Sequence, residues 1–156
     1  MTSQHATQVL ALQEGFANAI GHGVGAIVLY AVVGLFLMLV GFYAIDLTTP
    51  GKLSQLVREG RPNAVAVTSA GLVSMALIIV VAIYNAGGRL EEGLLSALVF
   101  GLVGVVVQVL AVRLLEWVTR IELRAVMQAD VFAPASLVVA AAHLALGLVV
   151  AVAISG

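Results

Sequence analysis

Three polar side chains sit where a chain this apolar accommodates them least: Ser74, Gln108 and His143. Each falls near the middle of its own long uncharged stretch, with Thr68 and Ser69 a little earlier in the same stretch as Ser74. Polar groups at bilayer depth are costly, and ionisable ones are candidates for function by default. Histidine titrates near physiological pH, so a Ser74–Gln108–His143 level would suit a proton or ion waypoint. The competing reading is structural. Gln108 and His143 would then bond each other, or backbone carbonyls, and hold helices together at about 1 kcal/mol per contact.

A second group carries charge. Arg113 and Glu116 are spaced i, i+3 on one helical face, with Arg120 a further turn along. They lie at the edge of an apolar stretch, where an arginine can extend toward headgroups. An ion pair at the membrane surface is the simpler expectation, and a charged vestibule for a permeating species is the other. Asp46 reads as a cap for the turn that follows it, or as a gate residue.

Other chemistries lack their residues. There is no Gly-rich phosphate loop, His-Glu-x-x-His or Gly-x-Ser-x-Gly, and no paired carboxylates within an apolar stretch. Cysteine is absent, which excludes disulfides, iron–sulfur clusters and thiolate zinc sites. His5, His22 and His143 are scattered without metal-ligand spacing. The expectation is therefore no catalytic residue, no cofactor and no metal, and a protein that is not an enzyme. Lys and Arg number 7 against 8 Asp and Glu, which leaves no basic footprint for nucleic acid.

The elements that must position these groups follow from hydropathy. Gly23–Ile45, Ala64–Ala86, Leu94–Val112 and Ala135–Ile154 are apolar stretches matching the roughly 20 residues a helix needs to cross a bilayer. Only 10% of the chain is charged and 62% is hydrophobic, more apolar surface than one soluble core of 156 residues can hide. The expected fold is all-α and integral to the membrane, with four transmembrane helices and the lipid bilayer as solvent. Residues 1–22 read as a short interfacial or extended helix, with Phe16 and Ile20 on its apolar side and Gly21, Gly23 and Gly25 loosening its junction with span one. They lack the basic start and cleavage site of a signal peptide, so the first span is expected to be retained.

Turn chemistry divides the spans. Thr49 before Pro50 is an N-cap and first-turn pair, and Leu53, Leu56 and Val57 give a short helix its apolar side. Gly60 stops that helix, and Pro62 precedes Asn63, the expected cap of span two. Gly87-Gly88 makes a tight hairpin. Span three is expected to continue as an amphipathic helix through 119–128, and Pro134 opens span four. Gly93, Ala97, Gly101 and Gly104, and Gly147 with Ala151, form rows of small residues that allow close helix approach within the chain or between copies.

Six basic residues, Lys52, Arg58, Arg61, Arg113, Arg120 and Arg124, flank the first and third connections, and only Arg89 lies in the second. Basic residues favour the cytoplasmic side, so loops 46–63 and 119–133 are expected in the cytoplasm and both termini outside. The ending at Gly156 then leaves no cytoplasmic tail.

Shifting the chain by 70 residues superposes its halves: Gly34 on Gly104, Asp46 on Glu116, Thr49 on Thr119, Leu53 on Leu123. With one inserted loop residue, Ala64 meets Ala135, Val67 meets Val138, and Val81-Ala82-Ile83 meets Val152-Ala153-Ile154. Two parallel two-span repeats, 23–88 and 89–156, are expected within one membrane domain. In this register Met38 stands opposite Gln108, Leu72 opposite His143 and Tyr43 opposite Arg113. The mid-membrane polarity of Gln108 and His143 therefore belongs to the second half.

The segment Gly41-Phe-Tyr-Ala-Ile-Asp46-Leu-Thr-Thr-Pro50-Gly-Lys-Leu53, followed by Arg61-Pro-Asn63-Ala and a glycine-bearing second span, resembles the domain-of-unknown-function 350 family. The resemblance covers about residues 25–156. It implies a bacterial inner-membrane protein with two copies of a two-span unit, sometimes encoded beside polyamine-type or peptide-ligating enzymes. The Asp-x-x-Thr-Pro-Gly signature becomes Glu116-Trp-Val-Thr119-Arg120-Ile in the second copy, without Pro-Gly.

Together these features point to a channel- or transporter-like subunit for a small ion or solute, working as a homo-oligomer or within a membrane complex. The alternative is a scaffold that anchors partner proteins through its cytoplasmic loops.

Overall fold

The structure is a computed structural model that describes the backbone of residues 2–48 and 52–156 and the side chains of 15–47 and 52–156. Its elements are α1 (Thr2–Thr48), α2 (Leu53–Arg58), α3 (Pro62–Asn85), α4 (Leu90–Thr119), α5 (Leu123–Gln128) and α6 (Ala135–Ser155). No strand occurs among the described residues. Four helices contain segments long and apolar enough to cross a membrane: Gly15–Leu47, Pro62–Asn85, Leu90–Thr119 and Ala135–Ser155. A bilayer offers the backbone no hydrogen bonds, so helices satisfying their own polar groups are what such sequences form.

The chain divides into two units. The first, Met1–Val32, is described as helix from Thr2 onward. That helix passes through Gly21, Gly23 and Gly25 without interruption, so the expected loosened junction is not there. Backbone hydrogen bonding along an apolar helix outweighs the roughly 1 kcal/mol that each glycine costs. The second unit, Val33–Gly156, holds the bundle.

Within the second unit α3 is the central helix, packed on α6, α4, α2 and α5. Half of its most apolar window is buried, against 28% for each of α4 and α6. The end of α1 joins through residues one turn apart. Leu37 is fully buried beside Gly101 of α4, Gly41 adjoins Met75 of α3, and Ile45 adjoins Gly71 of α3. The rows of small residues thus serve contacts inside one chain. A Cβ on Gly101 would stand 2.7 Å from Leu37, and one on Gly104 2.7 Å from Ile78.

Several turns differ from expectation. The Thr49–Pro50 pair lies outside the described residues. Helix α4 does not run on through residue 128: Arg120 adopts a left-handed φ of 55°, and α5 begins afresh at Leu123. Reversal there folds Leu123 and Met127 back onto a buried cluster with Ile45, Leu53, Val67 and Val139, which a straight extension would leave exposed. Helix α3 takes Arg61 as its N-cap and Pro62 as its first residue, so Asn63 is not the cap. Its amide binds the second connection instead, donating to Ala129 O (3.3 Å) and Val131 O (2.9 Å) and accepting from Ala133 N (2.8 Å). Arg61 adds hydrogen bonds to Gln128 O (3.2 Å) and the Asp130 carboxylate. Gly60, Gly87 and Gly88 all have positive φ where their helices end.

Candidate functional site

Three helices meet at Ser74. Its hydroxyl donates to the backbone carbonyl of His143 at 2.7 Å and accepts from Gln108 Nε2 at 2.6 Å. Ser74 and its partners are almost wholly buried, at 0% exposure for Ser74, 2% for Gln108 and 1% for His143. The approach of α3 to α6 depends on Gly147. A Cβ there would overlap Ser74 Oγ and lie 2.9 Å from Ser74 Cα, so any larger residue separates the helices.

This arrangement splits the three residues expected to act together. The structural reading has Gln108 and His143 bonding each other or backbone carbonyls, whereas Gln108 bonds the Ser74 hydroxyl and not the imidazole. Only the main chain of His143 joins them. Both ring nitrogens, Nδ1 and Nε2, are buried without a hydrogen-bond partner. Thr68 Oγ1, about one turn before Gly71 and two before Ser74 on the same helix, is likewise buried without one.

The ring borders a narrow cavity lined by Gln108, Val109, Val112, Arg113 and Glu116 of α4, together with Ile45, Val67, Leu123 and His143. Its volume, about 10 Å³ as the space open to the centre of a water-sized sphere, is close to what one water requires. Gln108 and His143 therefore line the same cavity as the boundary charges Arg113 and Glu116, which their separation in sequence conceals. Arg113 Nη1 and Glu116 Oε2 pair at 3.0 Å, and Glu116 is the less exposed partner. Arg120 ends α4 and takes no part in that pair.

Asp46 stands apart from the cavity. Its Oδ1 accepts the backbone N–H of Ser54 at 3.1 Å, in the first turn of α2. It thereby satisfies one of the donors a helix start leaves open. Thr68 and Gly147 were not among the expected site residues. The polar level of span two and the small-residue row of span four were the signals for them, but each needed a partner helix to acquire meaning. No group of three or more His, Cys, Asp or Glu that could hold a metal occurs among the described residues.

A second groove lies on the same bundle. Leu35, Met38, Leu39, Phe42 and Leu72 line it, all apolar. Met38, Leu39, Phe42 and Leu72 are the positions matched to Gln108, Val109, Val112 and His143 at offsets of 70 in the first helix of each half and 71 in the second.

Four long apolar helices around a buried polar contact define a multi-pass membrane protein. The chain belongs to the Domain of Unknown Function 350 family, which matches residues 19–154. It is similar to a UPF0719 transmembrane protein of Mycolicibacterium paratuberculosis, 39% identical over 139 residues that cover 88% of this chain and 92% of the relative. It is also similar to a UPF0719 transmembrane protein of Mycobacterium bovis, at 38% over 135 residues, covering 86% and 89%. A UPF0719 transmembrane protein of Mycobacterium tuberculosis matches to the same extent. No solved structure matches the chain.

Proposed function

We propose that this protein is a non-enzymatic subunit of a bacterial inner membrane that moves or gates a small ion or solute. The observation that carries the reading is the His143 imidazole, buried within an apolar helix with both nitrogens unbonded, on a cavity whose wall also bears Arg113 and Glu116. A histidine kept only for stability would have its ring satisfied, because leaving a buried polar group unpaired costs about 1–3 kcal/mol. The basic residues of the 46–63 and 119–133 connections favour a cytoplasmic position for both, and with it the Arg113–Glu116 end of the cavity.

Two parallel repeats, 23–88 and 89–156, are part of this reading. Four of the five groove residues correspond to cavity residues, which supports them, as does the spacing of the six-residue helices Leu53–Arg58 and Leu123–Gln128 at an offset of 70. Apolar side chains such as Leu110, Leu114, Leu148 and Val152 remain exposed on the bundle, a surface suited to lipid and to further copies of the chain in a homo-oligomer.

Reconstitution in liposomes tests the proposal, with flux of protons, alkali cations, anions and polyamines measured in turn. Flux that disappears in the Gln108→Leu, His143→Leu double variant while helicity and oligomeric state persist supports it. Wild-type vesicles impermeable to every species refute it and leave a scaffold acting through its cytoplasmic loops as the surviving alternative.

A further inference from the structure

We propose that the species handled at this site is the proton, that the His143 ring binds it, and that it arrives from the Arg113–Glu116 end. The inference rests on the transport reading above and deepens it by naming the ion.

The donor set selects among ions. A hydrated alkali or divalent cation needs several oxygen ligands in a site that holds them together, whereas this cavity accommodates about one water. An anion needs donors, and the guanidinium on this wall is already paired with Glu116. A proton needs one lone pair. Neutral imidazole offers one acceptor nitrogen and one donor nitrogen, and neither is engaged in His143.

The surroundings also give the site a direction. Of the elements around the ring, α1, α3 and α5 bring Ile45, Val67 and Leu123 to the cavity, none of which titrates. Gly71 of α3 also faces the ring: a Cβ placed there would lie 3.8 Å from Nδ1. Helix α4 supplies Gln108, Arg113 and Glu116, so Glu116 and Arg113 are the titratable and charged groups on the wall. Toward the opposite end of the bundle the Ser74 hydroxyl is already committed to Gln108 and the His143 carbonyl. Beyond it Met75, Ile78 and Val105 form a buried apolar cluster. The polar and charged partners within the cavity therefore lie on the Arg113–Glu116 side of the ring.

The transfer balances without any further reactant. Protonation of the Glu116 carboxylate releases Arg113. The carboxyl gives its proton to a water in the cavity, which passes one of its own to the bare imidazole nitrogen. Glu116 is left as a carboxylate that pairs again with Arg113, and His143 as an imidazolium.

The test uses the full chain in lipid vesicles carrying an interior pH dye, with a potassium-diffusion potential as the driving force. In parallel, imidazole nitrogen resonances are recorded in nanodiscs and assigned by comparison with His143→Gln. The expected result is proton uptake slowed about 10²-fold or more in Glu116→Gln, the scale of loss when a positioned proton-transfer group is removed. The His143 ring should titrate, and its exchange should slow in Glu116→Gln. Glu116→Asp, which keeps the carboxyl, should restore part of the rate.

Flux of another ion, indifferent to pH and to Glu116→Gln, overturns the proton assignment and leaves the transport reading standing. An imidazole that never titrates also overturns it. A ring that titrates in a Glu116-dependent way in vesicles without flux of any kind supports the proton site and sinks transport. If Glu116→Gln does not fold, Arg113→Gln serves instead. It leaves the carboxyl unpaired and should shift the pH dependence of uptake, and an unshifted profile counts against the proposal.

Discussion

The polar cavity around His143 and the apolar groove around Leu72 share four positions at offsets of 70 or 71 in sequence, yet they differ in chemistry and enclosure. Gln108 and His143 stand where the groove has Met38 and Leu72. The cavity is covered by Ile45, Val67 and Leu123, whereas Leu35 and Leu39 on the groove remain exposed. The groove is a lipid-compatible surface and the cavity a buried polar site. Helix packing alone implies no function, and Gln108 and His143 are what distinguish the site.

The largest way to break this contrast is at Gly147, whose matched position already carries the Cβ of Ala76. Gly147→Ala should force α3 from α6 at the Ser74 contact and cost about 3 kcal/mol, as overpacking of a tight core does. A clear fall in the thermal midpoint in detergent is the expected reading. Ser74→Ala comes next. It introduces the residue type found at position 145, strands the Gln108 amide and removes the interhelical bond to the His143 carbonyl. A loss of about 1–2 kcal/mol is expected, measurable by denaturant titration in micelles.

His143→Leu makes the cavity resemble its counterpart and should move stability the other way. Replacing an unpartnered buried ring by an apolar side chain is expected to gain up to about 1 kcal/mol. A large destabilisation would show that the ring has a structural partner after all. The smallest effect is reserved for the connections, where Arg61 and Asn63 of the first reach residues 128–133 of the second. Asp130 is almost fully exposed, and Asp130→Ala should alter the midpoint by no more than about 0.5 kcal/mol. Asn63→Ala should cost more, because three hydrogen bonds from one buried amide disappear together.

Particular residues show where sequence reasoning reached and where it stopped. The helix endings at Gly60 and at Gly87-Gly88 were legible because a left-handed backbone is a demand on the residue itself. The Arg113–Glu116 pair was legible because i, i+3 spacing fixes neighbours on a helix. Asn63 was misread as a cap, since its partners lie 66–70 residues away. The end of α4 was misread because apolar spacing through 119–128 cannot distinguish a straight helix from one broken at Arg120 and folded back.

Hydropathy and span length, properties of each segment alone, determined the four helices long and apolar enough to cross a membrane and which polar residues lie within them. Only the tertiary structure decided that Gln108 bonds Ser74, that the His143 ring bonds nothing, and that Glu116 shares its cavity. Those outcomes depend on how far each helix is rotated and how closely α3 meets α6 at Gly147. Both are set by contacts between residues distant in sequence, and no single segment encodes them.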